Sequence, residues 1–223
     1  MAATFLKAAV FVSGGEAFVR SYTTLKELGD IEYILKRSRF IGTAAPASDV
    51  NEASSLIARI KSEHRDANHH CYAYSLKDGK QRYSDDGEPH GTAGIPILEV
   101  LKNKNITDGI VIVTRYFGGT LLGAPGLVRA YSHTAKLAVD TAGTVLMQPC
   151  SEVLITAPYM FYNKLCMLIK NRGGEILDSA FTEHVSVRAR IAQNAVEAIS
   201  GDLNELTAGK SKLEVTGELF ADS

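Results

Sequence analysis

Arg115 and Arg129 bracket a glycine-rich stretch, Tyr116-Phe117-Gly118-Gly119-Thr120-Leu121-Leu122-Gly123-Ala124-Pro125-Gly126. It follows a continuous apolar run and leads into a helical pattern. A helix start presents unpaired N–H groups and a partial positive charge. Glycine lets an anion come close to such a backbone. The chemistry that fits is phosphate or RNA-backbone binding, with Arg115 and Arg129 as cations and the amides of Gly118 and Gly119 assisting. A second basic cluster, Lys36, Arg37 and Arg39, is a candidate for the same ligand. The plainer alternative is a tight turn whose glycines serve geometry alone. The spacing fits neither a P-loop nor a dinucleotide fingerprint.

A second constellation is Ser84-Asp85-Asp86-Gly87-Glu88-Pro89-His90-Gly91, preceded by His69-His70-Cys71. Asp85, Asp86, Glu88 and His69 together suggest an acid and a base, or metal ligands, for a small hydrolase. No metal signature is matched, and no cofactor is implied. The structural alternative is that Asp85 and Asp86 cap backbone N–H groups or pair with nearby arginines. Cys71 and His70 are strand neighbours and point to opposite faces, which argues against a thiol–imidazole pair.

A third lies near the C-terminus. Alternation in residues 185–191 turns Arg188 and Arg190 outward, and Glu214 and Glu218 face outward from residues 213–219. If those strands are neighbours, the acids neutralise the arginines. The face carries no aromatic for base stacking, so it reads as a solvated or protein-docking face.

The elements that must position these residues follow from periodicity. Residues 32–44 read as a strand interrupted by the basic cluster. Residues 49–64 form a helix with Val50, Ala53, Ile57 and Ile60 on one face. Residues 71–76 are a strand, 81–94 a long polar loop, 96–102 a short helix, and 109–114 a buried central strand. A glycine loop over 115–125 precedes a helix over 126–141. After a linker at 143–149 come strand 152–157, helix 161–170, strands 175–180 and 183–191, a helix to 207 begun by an Asn194/Glu197 capping box, and strand 212–220. That second series has the β-α-β-β-α-β order of a ferredoxin-like domain.

The bulk composition excludes some classes. Charged residues make up 22% and the net charge is −1, a composition that suggests neither a disordered tail nor a polybasic arm. Residues 1–149 hold 17 Lys and Arg against 15 Asp and Glu, and residues 150–223 hold 7 against 10. A polyanion should therefore meet the first part. Three cysteines in no recognised pattern read as reduced thiols of a cytoplasmic protein. No apolar run approaches the ~18 residues of a membrane span. Residues 1–20 make a poor signal peptide and read as a leader.

The blocks Lys36-Arg37-Ser38-Arg39-Phe40-Ile41, Asp66-Ala67-Asn68-His69-His70-Cys71-Tyr72-Ala73-Tyr74, Ser84-Asp85-Asp86-Gly87-Glu88-Pro89, Val113-Thr114-Arg115-Tyr116-Phe117-Gly118-Gly119 and Gly126-Leu127-Val128-Arg129-Ala130-Tyr131 occur in that order. In these the chain resembles the IMPACT/YigZ family. The resemblance implies an α+β protein of two domains. The first, 21–145, would be like the second domain of a small-subunit ribosomal protein, also found in elongation factors. The second, 150–223, would be ferredoxin-like. It also implies a translation-linked, non-catalytic role. Eukaryotic members use a further N-terminal domain for their protein partner; no stretch here resembles it, so that partner is not carried over. Pro125, His70 and Ile95 depart from the family pattern, which more often has a small residue, Asn and a basic residue there. The expectation is a cytoplasmic regulator that binds RNA or the ribosome through its first domain and offers its second to a protein partner.

Overall fold

The computed structural model describes residues 20–222, so the expected leader at 1–20 lies, apart from Arg20, outside the described residues. The chain divides into two units, Tyr22–Leu146 and one containing Met147–Ser223.

The first unit begins with β1 (Tyr22–Leu25), β2 (Gly29–Leu35), β3 (Ser38–Pro46) and α1 (Val50–Glu63). It continues with β4 (His69–Ser75), β5 (Gln81–Ser84), α2 (Gly94–Asn103), β6 (Gly109–Tyr116) and α3 (Ala124–Ala142). Strands β2-β3-β6-β4-β5 form one antiparallel sheet with β6 at its centre. Both faces of β6 are covered, which explains its unbroken apolar run. Val111 and Val113 pack with Ile97, Leu101, Leu127 and Tyr131 of α2 and α3. Ile110 and Ile112 pack with Ala53 and Ile60 of α1. Burying each of the Val, Leu and Ile side chains stabilises the unit by roughly 1.5–3 kcal/mol. Asp49 caps α1, its Oδ1 accepting from the amides of Asn51 and Glu52 at 2.7 and 2.9 Å.

Three local expectations change. Residues 32–44 are not one interrupted strand but a hairpin, with Lys36 and Arg37 as its two-residue turn between β2 and β3. The loop expected over 81–94 contains the edge strand β5. The linker expected over 143–149 is the first half of β7 (Thr144–Ala157), a strand of 14 residues whose opening residues still belong to the first unit.

The second unit continues β7 through α4 (Tyr162–Asn171), β8 (Glu175–Phe181), β9 (Val185–Ala192), α5 (Val196–Thr207) and β10 (Lys212–Asp222). Its strands lie in the order β10-β7-β9-β8, all antiparallel. Leu165, Ile169, Ile199 and Leu203 of α4 and α5 pack on Val153, Ile155, Val187 and Ala189. The expected capping box is absent: α5 starts after Ala195 with no side-chain cap. Among the described residues no helix is long and apolar enough to cross a membrane.

Candidate nucleic-acid interface

Lys36 and Arg37 occupy the two central positions of the β2–β3 turn, with φ of 46° and 68°. Two successive left-handed residues make the mirror-type turn that suits the twist of a hairpin. Asn-Gly is the usual solution, because a side chain in this region costs about 1–2 kcal/mol. Here both positions carry exposed cations.

The glycine loop after β6 is fastened to this tip. A Cβ on Gly118 would sit 2.0 Å from the Arg37 carbonyl carbon, so only glycine permits the crossing. The Gly118 N–H donates to Ser38 Oγ at 3.2 Å. The Phe117 N–H donates to Asn68 Oδ1 at 2.7 Å, and the Asn68 N–H donates to the Arg115 carbonyl at 2.9 Å. The amides of Phe117 and Gly118 are thus committed within the protein. Gly119 (φ 80°) and Gly123 (φ 71°) border open space. Phe117 and Leu121 are exposed, at 45% and 83%. α3 then starts at Ala124 with Pro125 in its first turn and no side-chain cap. Arg129 is exposed on its second turn. One turn further, His133 packs edge-on against Tyr33 of β2 at 4.7 Å, which directs this helix face toward the hairpin.

Lys36, Arg37 and Arg129 take part in none of the ion pairs among the described residues. Arg39 is exposed but paired with Glu32 at 2.8 Å, and its Cζ lies 5.4 Å from the centre of the Tyr116 ring.

Arg115 departs from the expected role. It shares the β6 face of Val111 and Val113, is only 5% exposed, and donates from Nη1 to Glu88 Oε1 at 2.6 Å. Its Nη2 makes a long contact to Ser38 Oγ at 3.4 Å. The same Glu88 oxygen accepts the Tyr131 hydroxyl at 2.7 Å. Arg115 is a buried strut beneath the loop, not a surface cation for a ligand.

The carboxylates of the acidic loop are likewise engaged by groups of the protein itself, Glu88 buried and Asp85 and Asp86 half-buried. Asp85 accepts backbone N–H groups of Gly91, Ala93 and Gly94 at 2.8–3.1 Å, placing a carboxylate on the N-terminus of α2. Burial would raise its pKa, but these three donors hold it below the usual carboxylate range. Burial acts the same way on Asp86, and the His70 amide at 2.7 Å and Lys61 at 3.0 Å bring its pKa down. His69 donates from Nδ1 to the Asp86 carbonyl at 2.9 Å, and its Nε2 stands 3.9 Å from Glu88. The Cys71 thiol donates to the Asp85 carbonyl, and burial pushes its pKa up to about 12. His70 turns to the opposite face and bonds Thr114 Oγ1 at 3.1 Å. Each carboxylate proposed for hydrolysis is held by internal donors, and no cluster of three or more metal-ligating side chains occurs among the described residues. This geometry gives the hydrolase alternative no support.

In the second unit β10 pairs with β7, not β9. Glu214 and Glu218 are therefore not cross-strand neighbours of Arg188 and Arg190. Instead Arg190 pairs with Glu175 of β8 at 3.0 Å. Met160, just before α4, Met167 on α4 and Phe181 at the end of β8 are exposed.

Sequence reasoning missed Phe117, Ser38, Asn68 and Tyr131. An aromatic beside paired glycines at a strand end was a signal for Phe117. The other three act through partners far along the chain, and no local pattern marks them.

Residues 36–139 match the Impact N-terminal domain, and residues 155–210 match a domain of unknown function (DUF1949). Among curated proteins, the chain is 36% identical to the IMPACT family member YvyE of Bacillus subtilis over 203 residues, covering 90% of this chain and 93% of the relative. It is 33% identical to the IMPACT family member YigZ of Escherichia coli, covering 80% and 90%. It is 30% identical to Protein IMPACT of Rattus norvegicus over 93 residues, 40% of this chain and 29% of that protein. A solved structure described as that of a hypothetical protein aligns with TM-score 0.59 and 29% identity, over 90% of this chain and 99% of its own.

Proposed function

This chain belongs to the IMPACT family, and on that premise we propose that its first unit binds RNA, free or within the ribosome, as a non-catalytic, translation-linked regulator. In this reading the first unit is like the second domain of a small-subunit ribosomal protein, and the second unit is ferredoxin-like. Lys36, Arg37 and Arg129 contact phosphates, with Arg39 at the margin and the open backbone around Gly119 allowing close approach.

One observation carries the reading: two unpaired cations stand in left-handed turn positions that ordinarily hold Asn and Gly. Strained backbone of this kind concentrates at functional sites. The uncapped start of α3, which the glycine loop enters, adds partial positive charge.

Three phosphate contacts give a salt slope of roughly 2 in log K against log salt, at about 0.7 per phosphate for a single strand. Replacing Lys36 and Arg37 by Ala lowers that slope by about 1.4. Filter binding across a salt series, and ribosome co-sedimentation, measure both. A double variant with undiminished slope and sedimentation would remove this assignment.

The exposed Met160, Met167 and Phe181 favour a second reading for the second unit, a protein-docking face. Met160→Asp with Met167→Asp should abolish capture of a protein partner in nuclease-treated lysate while leaving RNA binding intact; unchanged capture excludes that face.

A further inference from the structure

We infer that the RNA is taken as an unpaired strand, with a base stacked on the ring of Phe117. This inference rests on the RNA-binding reading above and names the form of RNA that the surface accepts.

Phe117 is 45% exposed, although a side chain of its size is ordinarily buried. It is also held in place. Its amide is tied to Asn68 at 2.7 Å, and the next residue is locked against the hairpin backbone. The buried Arg115 guanidinium lies 5.5 Å from the ring centre. A fixed cation against an aromatic ring orients it without covering its solvent side. The result is a rigid aromatic platform with little conformational freedom to lose on binding.

The surroundings fit a polynucleotide. Lys36 and Arg37 adjoin the loop through Gly118, and Arg129 lies on the helix that the loop enters. Gly119, two residues after Phe117, and Gly123 border open space. Cations that follow a backbone, interleaved with an aromatic for stacking, are the two components of single-strand binding surfaces. A duplex offers phosphates but keeps its base faces stacked inside, where Phe117 cannot reach them. The unpaired charges on the hairpin tip that adjoins the loop, Lys36 and Arg37, and on the helix it enters, Arg129, are cations of phosphate-binding type. An acidic or apolar protein segment is the competing occupant, and the experiment separates it.

The full chain is titrated by fluorescence anisotropy against labelled RNAs of roughly 12 nucleotides, one unstructured and one a duplex. The single strand should bind about tenfold tighter than the duplex. Phe117→Leu should weaken single-strand binding about tenfold, leave duplex binding and the salt slope unchanged, and be rescued by Phe117→Trp. Equal affinity for the two RNAs, or a neutral Phe117→Leu, overturns the stacking inference while the phosphate reading stands. Salt-independent binding, or none to either RNA, overturns the RNA reading itself and this inference with it.

Discussion

Arg115 and Glu88, 27 residues apart in sequence, meet in the core of the first unit with Nη1 and Oε1 at 2.6 Å. Both are almost fully buried, and Tyr131 from α3 bonds the same carboxylate oxygen. The pair therefore links β6, the acidic loop and α3 directly beneath the glycine loop. Two charges removed from water break even only when each satisfies the other. Arg115→Ala leaves Glu88 buried without its cation and should cost about 3–5 kcal/mol in urea denaturation. Glu88→Gln keeps a hydrogen-bonding shape but strands the guanidinium, and should cost a comparable amount. The double change to apolar residues should cost less than either single change, because no lone charge remains. An additive double variant would show that the two side chains act independently.

Asp85 makes stability depend on pH in a defined direction. Its folded pKa lies below that of a free carboxyl, about 3.9. A depressed pKa means stabilisation that is complete above the unfolded value and lost as pH falls through the folded one. Asp86 acts with the same sign, whereas Asp108, raised chiefly by burial, acts with the opposite sign. Comparison with Asp85→Asn isolates the first. The variant should be about 1.5–3 kcal/mol less stable at neutral pH, the range for hydrogen bonds to a charged group. That gap should narrow below about pH 4. Thermal melts at two pH values measure it, and a pH-independent gap would assign the loss to packing.

Much of the first unit is legible from pattern. The apolar run at 109–114 became the central strand because helices cover both its faces, and Asp49 stands where a cap was needed. That same burial on two sides hid the direction of Arg115. With Ile110, Val111, Ile112 and Val113 apolar on both faces, no alternation shows that Arg115 follows Val111 and Val113 inward. Glu88 could not be assigned to it, since pairing across 27 residues leaves no local trace. The hairpin was missed because Lys36-Arg37 lacks the glycine or asparagine that marks such turns. β5 was missed because Gln81, Arg82 and Tyr83 are all exposed, so an edge strand with no buried face has no hydrophobic period. In the second unit the order of elements was readable, but which strands are neighbours was not. The condition for Glu214 to neutralise Arg188 or Arg190, adjacency of their strands, is not met, because β10 lies against β7 with Glu214 opposite Leu154.

Gly118 and Gly119 separate two uses of glycine. Gly119→Ala meets no neighbouring atom and is opposed only by its left-handed φ of 80°, so it should cost about 1 kcal/mol. Gly118→Ala would drive a methyl group into the Arg37 backbone. It should cost about 3 kcal/mol and move the basic tip away from the loop, so that RNA affinity falls with stability. Chemical denaturation of both variants, with anisotropy on the same samples, measures the contrast. Equal losses would mean that the crossing tolerates expansion.

The turn residues allow stability and function to be driven in opposite directions. Lys36→Asn with Arg37→Gly supplies the pair that this turn geometry prefers and relieves two left-handed side chains. The double variant should gain about 1 kcal/mol or more. The same change removes two of the three cations proposed to contact phosphate, and RNA binding should drop with the loss in salt slope expected for Lys36→Ala with Arg37→Ala. The alanine pair, which remains disfavoured at positive φ, should lose binding without becoming more stable. A general defect in folding cannot produce higher stability together with lower affinity, so the combination points to the tip itself. If the Asn-Gly variant retains full affinity, the cations at 36 and 37 are surplus to binding. If it gains no stability, the backbone there is not strained, and the reason for seeing function in that turn is gone.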